Sequence, residues 1–284
     1  MKIFLVIFFL TTTVFSQTFT YDYSFGKFQN ASSFHINSAG FIYITDSGND
    51  KIFKYDTLGT LIKETGGHGW TEETFDDPVD IFATTLNVYV TDKNNHRIQN
   101  FDKDLNFISE LSTREGENSE EQFGYPLACE VSTMGDLFIL DSENKRIIKS
   151  DLFGNFLQNF GGLDAGNFTL NNPTKLAVSN SINTFVLDNS DIIVFDNYGN
   201  GLAIIETELD LVGLEINFSF LTTNSDGEVY YANLDNENFE LKKINLTALD
   251  YKPLFVSAIL QKNRLYILTE KEILVFTSVI GFNE

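Results

Sequence analysis

From residue 18 onward the chain is a succession of short runs in which apolar and polar residues alternate, each bounded by Gly, Asn, Asp or Pro. That period of two predicts half-buried β-strands and no helices. The clearest run, Val88-Tyr89-Val90-Thr91-Asp92, passes through the polar turn Lys93-Asn94-Asn95-His96 into Arg97-Ile98-Gln99-Asn100-Phe101-Asp102. The same pair of strands recurs as Ile42-Tyr43-Ile44-Thr45-Asp46 leading to Lys51-Ile52-Phe53-Lys54-Tyr55-Asp56. It recurs again as Leu137-Phe138-Ile139-Leu140-Asp141 leading to Arg146-Ile147-Ile148-Lys149-Ser150-Asp151. The shared pattern is an apolar strand, Asp-x-x-Asn-x-(Lys/Arg)-Ile, and a closing Asp.

Four units repeat one plan of four strands. Strands are expected at 34–36, 41–45, 51–55 and 60–65, then at 79–83, 87–91, 97–101 and 107–111. The third unit takes 127–132, 137–140, 146–149 and 156–160, and the fourth 176–178, 184–187, 192–195 and 202–205. The anchors Asp46, Asp92, Asp141 and Asp188 stand 46, 49 and 47 residues apart by subtraction, which fits the ~40–50-residue period of four-stranded propeller blades. Phe75/Pro78, Phe123/Pro126 and Phe168/Pro173 open three units, the proline setting the backbone ahead of a strand where no ladder donor is lost. A weaker fifth copy is placed at Val229-Tyr230-Tyr231-Ala232-Asn233 with Leu241-Lys242-Lys243-Ile244-Asn245. A sixth is placed at Leu265-Tyr266-Ile267-Leu268-Thr269 with Ile273-Leu274-Val275-Phe276-Thr277. The sixth has only three strands, and the run 18–25 ahead of the first unit has the character of an outermost strand. Placing it against the last three closes the ring and leaves only short edges bare. The expectation is a single all-β domain over 17–284, a six-bladed β-propeller of four-stranded antiparallel blades whose last blade is closed by the N-terminal strand.

Residues 1–16 have a different character: Met1-Lys2, an apolar run over 3–10, and small residues ending at Ser16. This is the layout of a secretory signal peptide cleaved after Ser16, and the run is short of the roughly 20 apolar residues a membrane span requires. A secreted or periplasmic, monomeric protein with no membrane span is expected. The formal charge of −21 becomes −22 once Lys2 is removed, a field that repels phosphate backbones and argues against a nucleic-acid partner. Cys129, the one cysteine, lies in an apolar strand and is expected as a small buried hydrophobe.

The set Phe75 to Pro78, Tyr89 to Asp92, Asn95 to Ile98 and Asp102, with Asp46, Asn49, Asp141, Asn144 and Ile147 in equivalent places, resembles the NHL-repeat family of six-bladed β-propellers. Clear copies cover about 28–206 and weaker ones 217–277. The resemblance implies the fold and no single activity, since such propellers include enzymes, scaffolds and RNA binders. One enzymatic branch it brings in, the peptidylglycine amidating lyases, holds zinc on channel-facing histidines. His35 and His68 are the matching candidates, whereas His96 occupies a turn position that should face solvent. A calcium-dependent, lactonase-like hydrolase would instead need carboxylates converging on the channel; Asp80 and Glu130 qualify, and Lys175 would oppose a cation there.

Repetition in every unit argues that Asp46, Asp92, Asp141 and Asp188 stabilise their own turns rather than perform chemistry, and that the Asn-x-(Lys/Arg) element carries a solvated cation. Nucleophile-elbow, phosphate-loop and metalloprotease motifs are absent. No catalytic residue and no cofactor are therefore expected; if a metal is bound, zinc or calcium on His35, His68 and Asp80 is the alternative. The loops 66–77, 113–125 and 161–172 occupy equivalent places and must crowd one face around the channel mouth. They bring Trp70, Phe75, Phe123, Tyr125 and Phe168 beside the acidic run 115–121, with Asp80, Glu130 and Lys175 at the mouth. Aromatics ringed by carboxylates suit a basic or neutral protein, peptide or carbohydrate. The expected function is non-catalytic binding or scaffolding, and the alternative is a metal-dependent lyase or hydrolase of propeller form.

Overall fold

The computed structural model describes residues 17–278 except 115, 117, 237, 238, 250 and 252. The signal peptide expected at 1–16 and two glutamates of the acidic run lie outside the described residues. Apart from one 3-10 turn at Gly166–Phe168, the regular secondary structure described is all strand, and no helix in it is long and apolar enough to cross a membrane.

Strand β1 (Thr18–Phe25) precedes four antiparallel sheets of four consecutive strands each. The first sheet holds β2 (Ala31–Ile36), β3 (Ile42–Asp46), β4 (Lys51–Tyr55) and β5 (Leu61–Gly66). The second holds β6 (Pro78–Ala83), β7 (Asn87–Asp92), β8 (Arg97–Asp102) and β9 (Phe107–Leu111). The third holds β10 (Pro126–Val131), β11 (Asp136–Asp141), β12 (Arg146–Asp151) and β13 (Phe156–Phe160). The fourth holds β14 (Pro173–Val178), β15 (Thr184–Asp188), β16 (Asp191–Phe195) and β17 (Gly201–Ile205). Pro78, Pro126 and Pro173 each begin a first strand. There follow β18 (Gly213–Asn217), β19 (Phe220–Ser225), β20 (Glu228–Asn233), β21 (Lys242–Thr247), β22 (Phe255–Gln261), β23 (Arg264–Thr269) and β24 (Ile273–Ser278). These seven and β1 form one eight-stranded sheet in the order β18-β19-β20-β21-β1-β24-β23-β22.

The first strands β2, β6, β10, β14, β18 and β22 touch one another in that cyclic order, with β22 returning to β2. The sheets thus radiate from a common bore, the geometry of a β-propeller. Apolar residues on facing sheets interdigitate in six clusters, each shared by neighbours in the ring. Tyr43 and Ile52 meet Phe75, Val90 and Phe101 in one; Tyr89 and Ile98 meet Cys129 and Ile139 in the next. Ring closure is made by Phe34, Ile44 and Phe53 against Tyr266, Ile273 and Val275. A strand flanked by sheets on both sides is apolar on both faces, which is why β3 and β15 are buried throughout while outer β5 and β9 are largely exposed. Cys129 is fully buried and unbridged in the second of these clusters.

Two features depart from the reading of the sequence. The fifth copy is displaced by one strand: Val229 lies in the third strand of its group, not the second, and 241–245 falls at the fourth. The true second strand is β19, Phe-Leu-Thr-Thr-Asn-Ser, where Ser225 stands in place of the anchoring Asp and removes the signal. In addition, β1 pairs antiparallel with β24, Phe19 opposite Ser278 and Phe25 opposite Ile273, and its other edge runs parallel to β21. Thr18, Phe19 and Thr20 face Asn245, Leu246 and Thr247, and Asn245 N donates to Gln17 O at 2.9 Å. Edges expected to stand bare are here joined, so five sheets appear where six separate blades were expected.

Phe19 is fully buried against Ile244, Leu265 and Phe276. Phe19→Ala should therefore cost about 3–5 kcal/mol of stability, and removal of 17–26 should bare two strand edges and drive aggregation. Urea unfolding and size-exclusion chromatography check both; a truncated chain that stays soluble and melts as before would show that β1 does not close the ring.

Candidate functional site

In each of the four four-stranded sheets, the loop that leads into the first strand is tied by a buried aspartate to the turn between the second and third strands. Asp46 accepts from Gln29 N (2.8 Å) and Asn30 N (2.7 Å), Asp92 from Asp76 N (2.8 Å), Asp141 from Gly124 N (3.1 Å), and Asp188 from Asn171 N (3.0 Å) and Asn172 N. Asp46 also accepts from its own turn, Gly48 N at 3.1 Å and Asn49 Nδ2 at 2.8 Å, as the sequence suggests. The cation that follows is not solvated where it is arginine. Arg97, 5% exposed, pairs through Nε with Asp92 and through Nη1 with Glu110, both at 2.8 Å, and donates to the carbonyls of Trp70, Thr71 and Thr74 at 3.0 Å. Arg146 repeats this with Asp141 (3.2 Å) and the carbonyls of Ser119 (2.9 Å) and Gln122 (2.8 Å). Lys51, in the same place in the first sheet, pairs only with Glu64 at the surface (2.8 Å). A guanidinium carries five donors in a planar fork and can hold several loop carbonyls at once; an ammonium cannot.

Neighbouring first strands share no ladder, so side chains meet the backbone groups along the bore. Ala83 N donates to His35 Nδ1 (3.0 Å), Cys129 N to Asp80 Oδ2 (3.0 Å) and Val178 N to Glu130 Oε2 (2.7 Å), while Ser33 Oγ donates to Asp80 Oδ1 (2.8 Å). The Nδ1 acceptor role places the His35 proton on Nε2. Burial holds its pKa down at about 4, and the ring stacks on Phe82 at 4.5 Å. Ser33, Asp80 and Lys175 occupy equivalent register positions on the first strands β2, β6 and β14, opposite Thr45, Thr91 and Leu187, and Ala128 takes that place on β10 opposite Leu140. Glu215 of β18, opposite Thr222, is within reach of the charges of Asp80 and Lys175: burial first and the charge of Asp80 second raise its pKa to about 8, with Lys175 pulling the other way. Burial also raises Asp80, opposed chiefly by Lys175, and raises Glu130 well above the usual carboxylate range. Among the described residues the bore thus brings together three carboxyl groups biased toward their neutral forms, the Lys175 side chain and a neutral imidazole.

On the loop face the expected aromatics divide. Phe75 and Phe123 are 0% and 1% exposed and belong to the core between sheets, and Phe168 packs on Phe195 at 6.2 Å. Trp70 is 71% exposed and Tyr125 42%. Tyr125 is braced by His96, whose ring lies 4.1 Å away edge-on and whose Nδ1 accepts from Tyr125 N at 2.9 Å, and by the Arg114 guanidinium at 5.7 Å. His96 is therefore half-buried under Tyr125 and not free in solvent as expected; burial, then the Arg114 charge, lowers its pKa. The metal alternative is not assembled as written either. Among the described residues the metal-ligating side chains that converge are Asp50, His68 and Asp76, with ligand atoms within 4.8 Å of one another, and His35 and Asp80 are not with them. Arg97, Asp50, Asp76 and Glu215 were not singled out in the sequence. Arg97 looked like any turn cation, and the displaced fifth copy hid the strand that carries Glu215.

No protein-family profile matches the chain, and no curated protein matches it in sequence. In shape it is similar to a solved streptogramin B lyase, with a TM-score of 0.60 at 16% identity over 87% of this chain and 79% of that one. It is also similar to selenomethionine-substituted virginiamycin B lyase from Staphylococcus aureus, with a TM-score of 0.59 at 14% identity over 87% and 80% of the two chains. A catalytically inactive variant of that lyase with quinupristin gives 0.58 and 15% over 87% and 80%. At such identities what is shared is the β-propeller fold.

Arg97→Ala should cost about 3–5 kcal/mol, because it leaves Asp92 buried without its cation, and should speed proteolysis within 67–75; urea unfolding and limited digestion read the two effects. Glu215 gives a pH prediction. Its carboxyl titrates at about 8 in the fold against an ordinary 4.5, so between those values the native protein holds a proton that the unfolded chain has released. Its contribution is complete below the lower value and is lost as pH rises through the upper one. Glu215→Gln should flatten the fall in melting temperature over that interval, and an unchanged slope would refute the assignment.

Proposed function

We propose that the chain is an exported six-bladed propeller of NHL type, its signal peptide cleaved after Ser16, that works as a non-catalytic binding or scaffolding module. The six-blade reading is supported by six first strands in cyclic contact and by the six core clusters. On this reading the eight-stranded sheet is two blades joined along β1 and β21.

One observation carries the binding function: Trp70 stands 71% exposed on a loop whose carbonyls at 70, 71 and 74 are all held by buried Arg97. A large aromatic already fixed in place loses little entropy on capture. Tyr125, braced on His96 and Arg114, gives the same face a second anchor. The chain's charge of −21 and the glutamates Glu72, Glu73, Glu120 and Glu121 in these loops favour a basic or neutral protein, peptide or carbohydrate. A second reading, a lyase or hydrolase acting in the bore, draws support from the names of the similar structures and from Glu215, whose raised pKa would let it give up a proton near neutral pH.

Trp70 emission should be red-shifted and readily quenched by acrylamide. Trp70→Ala should leave stability within about 0.5 kcal/mol yet weaken binding to immobilised basic peptides or glycans by roughly 30-fold or more. Unfolding on Trp70→Ala, or binding indifferent to it, would sink the proposal. Loss of binding or turnover on Glu215→Gln with Trp70→Ala silent would favour the bore.

A further inference from the structure

We infer that Asp50, His68 and Asp76 form a binding site for a first-row divalent transition metal on the loop face, at the foot of Trp70. One ligand atom from each converges within 4.8 Å of the others, and His68 Nδ1 lies 3.3 Å from Asp50 Oδ2. The three side chains come from three segments that the backbone locks together. Asp50 lies in the β3–β4 turn; its carbonyl accepts from Gly67 N (2.6 Å) and its Oδ1 from Asp77 N (3.0 Å). His68 is bridged in parallel to Phe75, with Phe75 N donating to Gly67 O and Gly69 N to Phe75 O, both at 3.0 Å. Asp76 is fixed by Asp92 through its own N–H at 2.8 Å, and its Oδ1 accepts from Asn94 Nδ2 at 2.9 Å. One oxygen of each carboxylate and the imidazole thus converge from segments held in place by backbone and side-chain hydrogen bonds.

The charge at that point is not met by the neighbouring cations. Lys51, beside Asp50, is engaged by Glu64 at 2.8 Å, and Lys93, beside Asn94, by Asp77 at 2.9 Å. Two carboxylates and an imidazole make a mixed N/O set that suits Zn²⁺, Mn²⁺, Co²⁺ or Ni²⁺ over the all-oxygen preference of Ca²⁺. Bound at about 2.1 Å, tetrahedral ligand atoms lie about 3.4 Å apart. The His68–Asp50 pair is already at 3.3 Å, and the exposed His68 ring has room to turn toward Asp76. Three protein ligands leave coordination positions open beside an exposed aromatic, so the metal would present water or accept a donor atom from outside. The inference stands apart from the binding role proposed above: a partner can dock on Trp70 without metal, and metal can bind without a partner.

Trp70 is the single tryptophan, and its ring meets His68 edge-on at 5.7 Å. Its fluorescence therefore reports directly on a metal held by His68. Tag-free protein is titrated with Co²⁺ or Ni²⁺ while Trp70 emission is read, and with Zn²⁺ in a calorimeter. Saturable quenching at one metal per chain, reversed by EDTA, is expected. His68→Ala and Asp76→Asn should each weaken it at least about tenfold without shifting the melting temperature in the absence of metal by more than about 0.5 kcal/mol equivalent. His68 is an exposed loop residue, so that variant tests the site even if Asp76→Asn loosens the loop. Quenching that is absent or unsaturable, zinc heat that is absent, or either response persisting unchanged in His68→Ala would overturn the inference.

Discussion

Four aspartates buried almost out of reach of water hold the loop face to the ring. A carboxylate placed there loses its hydration, and the raised pKa of Asp92, set first by burial, records that loss. The loss is offset because every such oxygen finds donors: N–H groups of the incoming loop, in three sheets an asparagine three residues on, and in two a largely buried guanidinium. Charge-assisted bonds of this kind are stronger than neutral ones, and the arrangement is highly directional. Each loop arrives at its first strand in one conformation, so what it carries on its outer side is presented at a set place.

Where the aspartate is missing, the chain finds another solution. In the last sheet Ser225 and Thr269 stand where the others have Asp. Thr269 Oγ1 accepts from Lys271 N (3.2 Å) and Glu272 N (3.0 Å), and the carbonyls of Glu270 and Lys271 take Ala31 N (3.0 Å) and Phe28 N (2.9 Å). The seam between chain ends thus adds backbone contacts from the β23–β24 turn to a loop that Asp46 already holds. The same region is fastened from outside by β1, which pairs with both β24 and β21. Strand edges that would be free are consumed at the place where the covalent chain cannot bridge the ring.

The bore follows from the same geometry. Strands that meet around an axis cannot pair edge to edge, and their unpaired backbone groups call for side-chain partners. His35, Asp80 and Glu130 serve this need, each accepting a backbone N–H from the next first strand. Ionisable residues lining a propeller axis therefore have a structural reason to exist before any chemistry is invoked. The exposed loop aromatics have no such reason: Phe75 and Phe123 are held in the core, whereas Trp70 and Tyr125 are braced from beneath and left facing out.

The repeat, its strands and the ring architecture were legible in the residues because a period of two and a recurring Asp-x-x-Asn turn are local signals that survive without knowledge of contacts. Strand 18–25 was legible as the missing outer strand by elimination, one unit being short. The fifth unit was misplaced because its anchor is lost and only tertiary packing identifies β19 as its second strand. Which loop aromatics face water, whether a turn cation is buried, and which acids share the bore were decided by the fold alone. Local pattern dictates whether a residue sits in a strand or a turn, but burial and partnership depend on what the neighbouring sheet brings up against it, from residues such as Arg97 and Trp70 that lie 27 positions apart in the chain.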